Sequence, residues 1–256
     1  MLIDHPIPAL QDNYIWLLHQ DQAPHTIIVD PGEAAPVFAA LEQFDLLPTA
    51  IFLTHHHWDH TDGVAELLQA FDIPVYGPAR EALHLVTHPL RAGDHVVLEQ
   101  PQVVFEILDI PGHTLGHIAF YGEQRLYCGD TLFAAGCGRA FEGTLLQLYH
   151  SLMQLNALPE TTQIHCAHEY TLGNLAFAQH IEPDNQAIAQ RIEAVKAIRA
   201  QNRPSLPSNF QLERATNPFL RVSEDSVIAQ VQQFSGEAIN TPEAVFAYLR
   251  QSKDCF

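Results

Sequence analysis

Apolar residues in the first two thirds of the chain fall into short runs, and several of these runs are closed by a turn carrying a carboxylate or an imidazole. Tyr14–Leu18, Thr26–Val29, Ala50–Leu53, Val75–Tyr76, Val103–Ile110, Ile118–Tyr121, Leu126–Cys128 and Gln163–Cys166 are strand candidates, because short apolar stretches bounded by Gly or Pro read as buried strands. Between them, Ala35–Phe44, Gly63–Phe71 and Leu145–Ala157 have the spacing of amphipathic helices. After Asn174 the texture changes. Leu175, Phe177, Ala178 and Ile181, then Ile188, Ile192, Val195 and Ile198, keep a helical period, with Pro183 placed to break or restart the helix. Arg203–Ser208 reads as an extended linker. Two further helices are predicted over Glu224–Phe234 and Pro242–Ser252. Thr241-Pro242-Glu243 supplies the second with a hydroxyl cap, a proline at the first position and an acid in the first turn. Periodicity alone therefore gives an α/β unit with mixed strands over residues 1–172, then a smaller helical unit over 173–256.

Candidate chemistry is concentrated at the ends of the predicted strands. Ala50–Leu53 runs into Thr54-His55-His56-His57-Trp58-Asp59-His60, four imidazoles and a carboxylate within six residues. Packed together they would repel if protonated and gain little if left unpaired. A divalent ion removes both problems, since neutral imidazole and carboxylate are good ligands for zinc or iron. In an extended stretch alternate residues share a face, so His55 and His57 point one way while His56 and Trp58 point elsewhere. Asp59 and His60 follow at a turn and can aim at a second point. An internal tract behind a buried strand is unlike a loose terminal metal-scavenging tail. His113, Asp130 and His168 stand in the same position behind other predicted strands, and in helix-covered sheets ligands gather beyond strand ends. Each alone would read as a turn or cap residue; the shared position makes them ligand candidates.

Composition narrows the picture. The chain has 256 residues, with 47% hydrophobic and 16% charged, as expected of a soluble globular enzyme. The first residues lack a basic start and a continuous apolar stretch, and no run approaches the roughly 20 apolar residues of a membrane helix. Cys128, Cys137, Cys166 and Cys255 show no C-x-x-C spacing and are expected to be free thiols in a reducing, cytoplasmic compartment. A net charge of −18 leaves no basic footprint for nucleic acid. No Gly-x-Ser-x-Gly elbow offers a serine nucleophile.

The motifs Thr-His-x-His-x-Asp-His at 54–60, Gly-His-Thr at 112–114, Gly-Asp-Thr at 129–131 and Ala-His-Glu-Tyr at 167–170 resemble the metallo-β-lactamase superfamily. Asp12-Asn13-Tyr14, Val29-Asp30-Pro31-Gly32, the glycine-flanked loop Gly136–Gly143, His168-Glu169-Tyr170-Thr171 with Asn174, Asn217–Arg221 and Arg250 with Lys253-Asp254 narrow the resemblance to the glyoxalase II (hydroxyacylglutathione hydrolase) family, over nearly the whole chain. The resemblance implies an αββα sandwich followed by a helical domain that contributes to substrate binding. It implies two divalent ions, zinc first and iron or manganese as alternatives. One would take His55, His57 and His113, the other Asp59, His60 and His168, with Asp130 bridging. Thr54, His56 and His117 would be supporting residues.

The implied reaction is hydrolysis of S-D-lactoylglutathione to glutathione and D-lactate, the second step of methylglyoxal breakdown, by a monomer. Water coordinated by two ions is acidified towards a pKa of roughly 7. A hydroxide bridging them could attack the thioester, with Asp59 and Asp130 as the catalytic carboxylates. Arg139, Tyr170, Asn174, Arg250 and Lys253 would contact the glutathione, whose carboxylates must find local cations in an acidic protein. Relatives often carry Lys and Tyr where this chain has Arg139 and Phe141, so charge is kept at one position and a hydroxyl lost at the other. The same fold also serves persulfide dioxygenases with one iron and other thioester or lactone hydrolases. A non-catalytic metal-binding protein would need its open coordination positions closed, and no further ligands are evident.

Overall fold

A computed structural model describes residues 1–256. Two six-stranded sheets face each other. The first runs, in spatial order, β1 (Leu2–Ala9), β2 (Asn13–Gln20), β3 (His25–Val29), β4 (Leu47–Phe52), β5 (Val75–Pro78) and β6 (His88–Leu90). The second runs β14 (Ser208–Asn209), β13 (Gln163–Cys166), β10 (Arg125–Gly129), β9 (Ile118–Gly122), β8 (Gln102–Asp109) and β7 (His95–Glu99).

Strand alternation explains why the central runs of the first sheet are apolar at every position. Trp16, Leu18, Ile27, Val29, Ala50 and Phe52 point into the core between the sheets, where Phe52 stacks on Phe120 at 4.4 Å. Their neighbours Ile15, Leu17, Ile28, Ile51 and Leu53 point the other way, into a second core with Val37 and Leu41 of α1 (Ala35–Phe44) and Val64 and Leu67 of α3 (Val64–Ala70). The inter-sheet core continues into α4 (Leu145–Asn156), α8 (Asp225–Ser235) and α9 (Pro242–Cys255) through Leu148, Leu152, Val231, Phe246 and Leu249. The two sheets thus lie between helical layers, and the sequence-based αββα expectation holds.

The predicted helices form within about three residues of their expected ends, the last running on to Cys255 and the first of the C-terminal helices starting at Thr171. Thr241 caps α9 by accepting Ala244 N–H at 3.3 Å, and Pro183 separates α5 (Thr171–Ile181) from α6 (Gln186–Arg199). Some elements escape the sequence pattern. β1 contains Pro6 and Pro8, which argue against a central strand but are tolerated at a sheet edge. The turn after His57 is a one-turn helix, α2 (Trp58–Thr61). The stretch after the linker folds as α7 (Phe210–Thr216), and β14 just before it joins the sheet edge beside β13. A short hairpin, β11 (Leu132–Phe133) with β12 (Gly136–Cys137), follows Asp130.

Candidate metal centre and adjoining cavity

Topology brings the donor-bearing turns together. β8 and β10 are both antiparallel to β9, and β10 is parallel to β13, so the C-terminal ends of β8, β10 and β13 share one edge. His113, Asp130 and His168 lie just beyond those ends. From the opposing sheet, β4 delivers His55–His60 to the same edge, joined by a hydrogen bond from Ile118 N–H to Thr54 O at 2.9 Å. Gly129 has φ +46° and packs against Thr54 and the His117 ring, so a Cβ there would collide with both and displace Asp130.

The donors form two groups around one carboxylate. His57 Nδ1 lies 3.0 Å from His55 Nε2 and 3.0 Å from His113 Nε2, and Asp130 Oδ2 is 3.6 Å from His113 Nε2. On the other side, Asp130 Oδ1 lies 3.4 Å from His60 Nε2 and 3.3 Å from His168 Nε2. Asp59 Oδ2 is 3.6 Å and 3.5 Å from the same two nitrogens.

Four of the imidazoles have their outer nitrogen engaged. His60 Nδ1 donates to Asp30 Oδ2 at 3.0 Å, His168 Nδ1 to Asp12 Oδ1 at 2.8 Å, and His113 Nδ1 to Arg139 O at 2.9 Å. Thr54 Oγ1 donates to Asp30 Oδ2 at 2.7 Å and so accepts from His55 Nδ1 at 3.1 Å. In its neutral form each ring is thereby set with its lone pair on Nε2, facing inward. Asn13 Nδ2 orients Asp59 by donating to Oδ2 at 3.0 Å. His60 Nε2 and Asp130 Oδ1 are buried with no hydrogen-bond partner. Such atoms are costly to bury unpaired, and both face the second group, 3.4 Å apart. A divalent ion there would satisfy both, and His55, His57 and His113 with Asp130 Oδ2 offer a like set of donors in the first group, so the residues fit the expected metals.

Charge differs between the groups in the metal-free chain. Burial, reinforced by His60 and His117, pushes His55 well below its ordinary pKa. Burial also opposes a proton on His168, yet Asp130 and Asp59 push that imidazole up to about 10. Asp59 is held below the carboxylate range against burial by His168 and His60.

Beside the centre opens a cavity of about 650 Å³ whose lining includes His113, Asp130, Arg139, Phe141, Tyr170 and Lys253. Its floor is the 132–137 hairpin, held by the C-terminal helices. Glu213 accepts Ala135 N–H at 2.7 Å, and Asn217 donates to Phe133 O and Gly136 O at 3.2 and 3.0 Å. Asn174 donates to Ala134 O at 3.1 Å and Arg250 to Cys137 O at 2.8 Å.

Comparison with known proteins agrees with this architecture. Residues 13–168 match the Metallo-beta-lactamase superfamily, and residues 169–256 match the family described as Hydroxyacylglutathione hydrolase C-terminus. The hydroxyacylglutathione hydrolase of Nitrosomonas europaea is 49% identical over 98% of this chain and 95% of its own length. That of Aliivibrio salmonicida is 50% identical over the full length of both. This chain belongs to the hydroxyacylglutathione hydrolase family of the metallo-β-lactamase superfamily. Among solved structures, TTHA1623 in a di-iron-bound form superimposes with a TM-score of 0.59 at 27% identity, covering 85% of this chain and all of that one.

For this member of the hydroxyacylglutathione hydrolase family, the structure gathers all seven ligands expected from sequence into the two groups. It also lines one cavity with all five expected substrate residues, in unequal states. Arg139 is mostly exposed, its Nε 3.1 Å from Asp254. Tyr170 stacks on His168 at 4.7 Å, and Lys253 Nζ donates to Gly173 O at 3.1 Å. Arg250 and Asn174 are buried and already bonded to the hairpin. The sequence marks Thr54 as a residue supporting the ligands, but it assigns no role to Asp12, Asn13 or Asp30, which orient them as well. Their signal was present only as membership of the Asp12-Asn13-Tyr14 and Val29–Gly32 motifs.

Proposed function

We propose that this chain hydrolyses the thioester of S-2-hydroxyacylglutathiones, S-D-lactoylglutathione first among them, releasing glutathione and D-lactate in the second step of methylglyoxal breakdown. The observation that carries the reading is the place of Asp130: one oxygen faces each ligand group, and the residue also lines the cavity. Full-length identity near 50% to hydroxyacylglutathione hydrolases supports the substrate. His55, His57 and His113 would hold one divalent ion and Asp59, His60 and His168 the other, with Asp130 shared. Zinc is proposed, with iron and manganese as competitors for such mixed donors. When bound, the ions would supply acidity to water at neutral pH and Lewis acidity for the carbonyl oxygen.

The chain's own residues do the rest. Asp130 fixes the spacing of the two groups, and Asp59, held by Asn13, is the second catalytic carboxylate. Arg139 and Lys253 offer cations to the glutathione carboxylates, which the net charge of −18 would otherwise repel. Tyr170 extends the wall over His168. Arg250 and Asn174 serve the same site by shaping its floor. Residues 1–172 would carry the chemistry and 173–256 would complete the substrate site, in a monomer. The glutathione thiolate is a good leaving group, so no general acid is required of the cavity. A one-iron dioxygenase would leave the group of Asp59, His60 and His168 empty, so close to two ions per chain would speak against it.

The test is to assay purified protein with S-D-lactoylglutathione and to measure metal per chain on the same sample. Thioester cleavage with close to two ions per chain is expected. Two ions without cleavage of any 2-hydroxyacylglutathione would reject the substrate, and a single iron with persulfide oxidation would reject the reaction.

A further inference from the structure

His56 belongs to neither ligand group, although it stands between two ligands in the chain. Its Nδ1 lies 2.9 Å from Glu81 Oε2 and its Nε2 3.0 Å from Glu142 Oε1. The second oxygen of each carboxylate is also engaged. Glu81 Oε1 accepts the Thr114 hydroxyl, and Glu142 Oε2 accepts Leu115 N–H at 3.1 Å. Thr114 and Leu115 directly follow His113. Two arms therefore leave one imidazole and close on the loop that carries His113. The backbone tightens the second arm, because Phe141 N–H and Glu142 N–H both donate to His113 O at 3.2 Å. Glu81 and the Thr114 hydroxyl are buried, whereas Glu142 is partly open to solvent.

The circuit joins two segments that supply the first ligand group, 55–57 and 113, across 56 residues of sequence, where His57 Nδ1 and His113 Nε2 lie 3.0 Å apart. The second group is oriented by other residues: Asp30 on His60, Asp12 on His168 and Asn13 on Asp59. We propose that His56 is a positioning residue that clamps the His113 loop to the His55–His57 segment, and so sets the affinity of the first ion selectively. Imidazole suits the task because its two nitrogens lie on opposite sides of a rigid ring and can meet two carboxylates at once. This proposal rests on the two-ion reading above.

The experiment uses the full chain as wild type, His56→Ala and Glu142→Ala. The metal-free forms are checked by circular dichroism and thermal unfolding. Zinc affinities for both sites are then measured by competition with a chromophoric chelator, and cobalt-loaded samples are followed by their d–d spectra. His56→Ala is expected to weaken one of the two zinc affinities by roughly 10- to 100-fold, as loss of an orienting partner does elsewhere. The same change should alter the spectrum of one cobalt only. Glu142→Ala, which removes one arm, should produce a smaller loss at the same site, and it carries the test if His56→Ala does not fold. Affinities that stay unchanged or fall together, while wild type binds two ions, would overturn the clamp alone. Wild-type protein that binds fewer than two ions would overturn the two-ion reading and the clamp with it.

Discussion

The two sides of the site are built on opposite principles. At the metal centre the outward atoms are satisfied and the inward atoms are left bare: Asp12, Asp30 and Arg139 O take the ring protons, while His60 Nε2 and Asp130 Oδ1 have no partner. In the cavity wall the reverse holds for the most buried polar groups. Asn174 and Asn217 bond their amides to the 132–137 hairpin, and Arg250 gives Nη1 to Cys137 O and Nη2 to Asp254, with only its Nε unpaired. A preorganised ligand cluster needs unspent lone pairs at its centre. A substrate wall needs a fixed surface with a few solvent-facing cations on its rim. Side chains near a site thus differ in whether their bonding capacity is spent on the protein or kept for what binds.

That contrast can be broken most sharply at Asp130. Asp130→Asn keeps the shape but removes the charge shared by both groups, and kcat/KM for S-D-lactoylglutathione should fall about a thousandfold, ~4 kcal/mol of barrier, with an unchanged circular dichroism spectrum. Near-normal hydrolysis would remove Asp130 from the shared role. Next in size, Asp12→Asn takes the charged acceptor from His168, and zinc affinity should drop roughly 10- to 100-fold in chelator competition while the fold persists.

Arg250→Ala tests the other side. Removing a buried cation whose partners are Cys137 O and the exposed Asp254 should cost about 2 kcal/mol of stability in urea unfolding, chiefly from the lost hydrogen bond to a buried carbonyl, and KM should rise only through disorder of the hairpin. A loss of affinity with full stability would show instead that Arg250 acts on substrate directly. Lys253→Ala, on the half-exposed rim, should raise KM about fivefold with little change in kcat, the ~1 kcal/mol of a solvent-screened ion pair.

The pH dependence follows from His168. Its pKa is raised in the metal-free chain, so near pH 7 it carries a proton that a metal ion must displace. Zinc binding should release protons, and apparent affinity should rise as pH increases towards about 10. Calorimetry in buffers of different ionisation enthalpy checks this; binding without proton release would contradict it.

Much of this was legible before any coordinates. The alternation of His55 and His57 against His56 shows in the sequence because backbone geometry in an extended stretch fixes which side chains share a face. The strands that carry the ligands show as apolar runs because they are buried. β1 was hidden by Pro6 and Pro8, whose cost vanishes only at an edge. Asp12 was hidden because its partner His168 lies 156 residues away, and a carboxylate in a turn looks the same whether or not an imidazole meets it. Arg250 and Lys253 look alike on one helix face, yet one is buried under Cys137 O and the other reaches the cavity rim.

The sequence by itself determined the donor-rich turns and the succession of strands and helices, which rest on local spacing and burial pattern, while the layered fold and the family followed from motif identity. Only the tertiary structure decided which nitrogen of each ring faces inward, which cations stand on the cavity rim, and what His56 holds. Those properties depend on contacts between segments far apart in the chain, and local periodicity carries no information about them.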